Sequence, residues 1–148
     1  MYISGKGFFQ PFRFGCIAMI LLFISVILLG CSGVPSAVDA GIGEEVTLSV
    51  GQSIRINEEG LTITFDEVIG DSRCPRNVTC IWAGVASIRI TIDSHDDNYS
   101  LALNLPGLVE NDGYEFAGYM LVYSLDPYPE AGRAVSEKDY KLILTVKK

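Results

Sequence analysis

Gln52-Ser53-Ile54-Arg55-Ile56-Asn57-Glu58-Glu59-Gly60-Leu61-Thr62-Ile63-Thr64-Phe65-Asp66 carries the reading of the fold. Ile54 and Ile56 fall on one side of a two-residue alternation, the period of a half-buried strand. Asn57-Glu58-Glu59-Gly60 is turn chemistry. Leu61, Ile63 and Phe65 then resume the beat, with Thr62, Thr64 and Asp66 opposite. Two apolar faces joined by four polar residues predict an antiparallel hairpin.

The same alternation extends in both directions. Upstream, Val46, Leu48 and Val50 form an apolar face. Downstream come Ala86, Ile88, Ile90 and Ile92, then Leu101, Leu103 and Leu105 before a break at Pro106-Gly107, and finally Tyr140, Leu142, Leu144 and Val146. Tyr119 to Leu125 (YMLVYSL) is apolar on both faces, which predicts a central strand covered on each side. No helical stripe is present, and Ser136 to Asp139 reads as one short turn. About eight short strands over 44–148 predict an all-β domain, an antiparallel β-sandwich or a barrel-like variant of it.

Residues 1–30 read as a lipoprotein signal peptide. Lys6 and Arg13 give a positive leader, and no acidic residue precedes Asp39. The apolar run Cys16–Leu29, interrupted by Ser25, would measure about 21 Å as a helix, short of a hydrocarbon core of roughly 30 Å. It ends in Leu28-Leu29-Gly30-Cys31, which resembles the lipobox of bacterial lipoproteins: two aliphatic residues, a small residue, then cysteine. That resemblance implies cleavage before Cys31 and a lipid on its thiol, with two or three acyl chains holding the protein to a membrane. Residues 31–43, small and rich in Gly, Pro and Ser, read as a flexible tether. The expected location is the cell envelope, on the extracytoplasmic side.

All 18 acidic residues but only 9 of the 11 basic ones follow Cys31, leaving a net charge of −9 on the mature part. Such a chain offers no electrostatic footprint for nucleic acid and is repelled by an anionic bilayer, so lipid rather than charge must hold it there. With Cys16 in the leader and Cys31 lipidated, Cys74 and Cys80 remain in an exported domain, where thiols oxidise. They are expected to form one disulfide.

Asp71-Ser72-Arg73-Cys74-Pro75 followed by Cys80-Ile81-Trp82-Ala83-Gly84 is the most distinctive passage. It resembles the D-S-R-C-P…C-x-W-A-G signature of an uncharacterised family of small bacterial secreted proteins and lipoproteins. The likeness extends through Gly118-Tyr119 and Leu125-Asp126-Pro127-Tyr128-Pro129 to Asp139-Tyr140. It implies an exported domain and assigns no activity. Physically the passage reads as a cross-linked corner, in which Asp71 and Arg73 pair with each other or take turn hydrogen bonds, and the Trp82 ring covers the sulfurs or plugs the end of the sandwich. It also reads as a rigid recognition loop presenting Arg73, Arg76 and Trp82, residue types enriched at binding hot spots. Tyr128, between two prolines, is either an exposed aromatic for a ligand or a plug over the sandwich edge.

Catalytic constellations are missing from the sequence. The only histidine, His95, lies in the polar turn Ser94-His95-Asp96-Asp97-Asn98, and there is no G-x-S-x-G elbow. That turn offers oxygens to a hard cation but not the spacing of an EF-hand, and zinc lacks ligands, so no metal and no cofactor is expected. The leading expectation is a non-catalytic domain at the envelope, binding a protein or glycan through its loops. The alternatives are a structural or assembly lipoprotein and, less favoured, a carboxylate-based hydrolase.

Overall fold

A computed structural model describes residues 37–95, 97–108 and 112–148. The leader and Cys31 therefore lie outside the described residues. Among the described residues nine strands run β1 Ala37–Asp39, β2 Glu45–Ser49, β3 Ser53–Ile56, β4 Leu61–Asp71, β5 Val85–Ser94, β6 Asp97–Pro106, β7 Tyr114–Phe116, β8 Tyr119–Asp126 and β9 Lys141–Lys147. They form two sheets, one ordered β1-β3-β4-β5-β6 and the other β2-β9-β8-β7. The protein is an all-β sandwich.

The opening hairpin lies where the alternation puts it. Ser53–Ile56 pairs antiparallel with Leu61–Thr64, and Asn57–Glu59 turn as a single 3-10 loop. Gly60 closes that turn at φ +59, a left-handed conformation that costs glycine little. Ile54, Ile56, Leu61, Ile63 and Phe65 are all buried, facing Leu121, Leu142, Leu144 and Val146 of the other sheet across one apolar layer. Burial along β5 alternates strictly, with Ala86, Ile88, Ile90 and Ile92 fully covered. His95 stands at φ +51 in the turn between β5 and β6.

Three details depart from the sequence reading. Ala37–Asp39, within the stretch assigned to the tether, forms a strand that pairs parallel with Ser53–Arg55, and Gly43 N–H donates to Val146 O at 2.7 Å. β8 is an inner strand, yet only one of its faces is covered. Leu121, Tyr123 and Leu125 point into the core, while Met120 and Ser124 face outward and are exposed. A two-layer sandwich buries one side of each sheet, so the second apolar face of β8 has another use, considered below. Finally, β4 shifts register between Phe65 and Glu67 and again between Val68 and Gly70. These bulges bend its end across the top of the sandwich.

Candidate functional site

The bent end of β4 delivers Asp71 and Arg73 to the junction of the two sheets. Both side chains are nearly sealed, at 5% and 4% exposure. Arg73 Nε donates to Asp71 Oδ1 at 2.9 Å and Nη2 donates to Oδ2 at 2.7 Å, a bidentate pair. Its remaining bonds cross to the other sheet: Nη1 to Leu125 O at 2.9 Å and Nη2 to Pro127 O at 3.1 Å. The Asp126–Pro127 peptide, between the residues that carry these two carbonyls, is cis. Burial pushes the Asp71 carboxyl upward. The Arg73 side-chain and backbone donors, the guanidinium charge and the Tyr140 hydroxyl outweigh that, holding it below the usual aspartate range. Tyr140 is raised by its own burial and by the facing Asp71 carboxylate.

Beyond Arg73, the Cys74–Cys80 disulfide closes a short loop. Ser72 N–H donates to Val85 O at 2.8 Å and Cys74 N–H to Ala83 O at 2.9 Å, so the loop leaves and returns along one ladder. Gly84, at φ +71, makes that return possible: a Cβ there would lie 1.9 Å from Ser72 O. The loop is also tied to its neighbours. Arg76 N–H reaches Pro129 O at 3.1 Å, Ala131 N–H reaches Asn77 Oδ1 at 2.7 Å, and Gly107 N–H reaches Gly84 O at 3.0 Å.

The predicted residues separate into two groups. Arg73 is buried with its bonds directed inward, so it holds the corner and is not presented to solvent. Tyr128 is half-buried, its ring 4.7 Å from the Arg73 guanidinium and 5.0 Å from that of Arg76, within cation–π range. Its buried hydroxyl has no hydrogen-bond partner among the described residues. Arg76 is exposed. Trp82 neither plugs the sandwich nor is packed away, since 81% of it is exposed. The reason is the geometry of the loop: Cys74 N–H to Ala83 O fixes the base, and the residues between project outward. Ile81 beside it is 94% exposed and was missed by periodicity, because it belongs to no alternating run.

Next to the corner lies an open groove of about 680 Å³. Arg76 and Tyr128 form one wall, Leu105, Pro106 and Leu108 another, and Val122 with Ile143 lines the floor. The outward apolar position Val122 thus faces this groove rather than a second core. Among the described residues no cluster of three or more His, Cys, Asp or Glu is placed to hold a metal ion. Asn98 donates to Asp93 within the polar turn near His95. No family model, no curated protein and no solved structure matches the chain.

Proposed function

We propose that this protein is a lipid-anchored envelope lipoprotein whose β-sandwich is a non-catalytic binding domain, taking a protein or glycan ligand in the groove beside the locked corner. The observation that carries this reading is the groove itself. It joins a guanidinium (Arg76), an aromatic ring (Tyr128) and apolar walls, on backbone held by the disulfide and the Arg73 bonds. A preorganised concave surface with a few polar groups suits recognition, because little ordering entropy is lost on binding.

The anchor and the binding surface are tested separately. Intact mass of the membrane form should show acyl additions at Cys31, and Cys31→Ala should accumulate as unprocessed precursor. Normal maturation of that variant would remove the anchor from the proposal. For the groove, a photo-crosslinking residue at exposed Ser124 should yield a discrete adduct in intact cells, lost with Val122→Arg. An adduct pattern indifferent to Val122→Arg would refute binding there. A second reading, assembly through a sheet edge, draws on β6, a strand of ten residues paired only with β5 in its sheet.

A further inference from the structure

We infer that the exposed tip formed by Ile81 and Trp82, just past Cys80 on the returning arm of the corner loop, rests in the interfacial layer of the membrane that holds the lipid. The inference relies on the reading of Cys31 as the lipidated residue and concerns a surface distinct from the groove.

Three observations converge. The first is exposure. Ile81 and Trp82 are among the most exposed large apolar side chains of the described residues, and Val78 in the same loop is 46% exposed. A disulfide and a ladder to Val85 support them, so the tip is held out rather than left loose. Trp beside an aliphatic residue suits the membrane–water boundary, where an amphipathic ring satisfies both phases.

The second is where the chain enters. β1 runs parallel to β3, with Ala37 opposite Ser53, and Ser53 lies opposite Thr64 of β4. β4 then continues from Thr64 to Asp71 in the direction from which β1 begins. The entry of the chain and the disulfide corner therefore share one end of the sandwich. Setting aside its two bulge residues, β4 carries the corner at most about 17 Å beyond the level of Ala37.

The third is charge. Ser72 to Ile92 contains no Asp or Glu, the longest such interval between Asp39 and Asp139 of a strongly acidic domain. The loop carries Arg76, exposed, while Arg73 is neutralised by Asp71. The adjacent loop contributes Asp126, Glu130 and Arg133, all exposed. The acidic surface that an anionic bilayer would repel is thus displaced from the tip itself.

Trp82 is the only tryptophan of the chain, so intrinsic fluorescence reports on this position alone. The full-length lipidated protein is reconstituted into pure phosphatidylcholine vesicles, with and without bromine on the acyl chains near the headgroup. Emission should shift to the blue relative to the protein in detergent, acrylamide quenching should fall severalfold, and bromolipid should quench. Ile81→Glu, at a site where nothing packs, should reverse all three while the protein still floats with the vesicles. Water-like, bromine-insensitive emission from protein that does float would overturn the inference and leave the anchor intact. Failure to float, with no acyl mass, would instead remove the anchor reading on which it rests. Shielding of Trp82 in native membranes but not in pure lipid would make the occupant a protein and refute the bilayer.

Discussion

The Tyr140 hydroxyl donates to Asp71 Oδ2 at 3.1 Å, joining the last residue of β4 to the residue just ahead of β9 in the other sheet. The carboxylate that receives this bond also takes both arms of Arg73 and the Arg73 backbone N–H. One buried aspartate thus closes the top of the sandwich, and its partners come from both layers.

Removing the guanidinium leaves that carboxylate buried and unpaired. Arg73→Met is expected to lower stability by about 3 to 5 kcal/mol, as breaking one side of a sealed ion pair does. The double variant Arg73→Met with Asp71→Leu should recover part of the loss. Urea denaturation of the two variants, set in a cycle with Asp71→Leu, gives the coupling.

Acid should weaken the same corner. Asp71 has a folded pKa below its unfolded value, so its contribution to stability is complete above the ordinary aspartate value of about 3.9 and fades as pH falls through the lowered one. Thermal midpoints measured from pH 6 downward should fall in the wild type. In the Arg73→Met/Asp71→Leu variant the fall should be shallower. Equal slopes would show that other carboxylates govern acid unfolding.

Gly84→Ala introduces a methyl 1.9 Å from Ser72 O at a left-handed residue. Overlap and backbone strain together should cost about 3 kcal/mol. Gly132→Ala, also at positive φ but with no atom within 4 Å, isolates the strain and should cost only about 1 kcal/mol. Chemical denaturation of the pair separates the two contributions.

Reduction of Cys74–Cys80 should destabilise the domain by roughly 2 kcal/mol, the loop-closure entropy of so short a ring. The reduced protein should remain folded at 25 °C, because the apolar layer between the sheets does not depend on the bond. Circular dichroism with and without reductant, paired with thiol labelling, reads both statements.

Tyr128→Phe removes a buried hydroxyl that has no hydrogen-bond partner among the described residues. Stability should hold or rise by up to about 1 kcal/mol, whereas Tyr128→Ala should lose the packing of the ring against two guanidinium groups. A clear loss in Tyr128→Phe would show that the hydroxyl is engaged.

Strand identities were legible because alternation is local: each of Ile88, Ile90 and Ile92 announces its own side. The outward apolar residues of β8 misled for the same reason, since period and composition cannot distinguish a second core from the floor of a groove. Sequence left Asp71 and Arg73 either paired or in turn hydrogen bonds, and it held no sign of Leu125 O or Pro127 O, which lie more than fifty residues away and act through backbone. The strand at Ala37–Asp39 was hidden by composition, because three residues are too few to show a period. Trp82, two residues past Cys80, was readable either as a ring over the sulfurs or the sandwich end or as a presented residue of a recognition loop, and the backbone bond from Cys74 to Ala83 set it outside.

The short parallel pairing of β1 with β3 gives the fold a defined load path. A pull applied at Ala37 along the axis of β1 would shear the rungs at Ala37, Val38 and Asp39 together rather than peel them in turn. Behind them, Ala40 N–H to Arg55 O and Gly43 N–H to Val146 O anchor the next residues to both sheets. With three rungs and these two further bonds, a pull on Ala37 is shared between both sheets before it reaches the apolar layer.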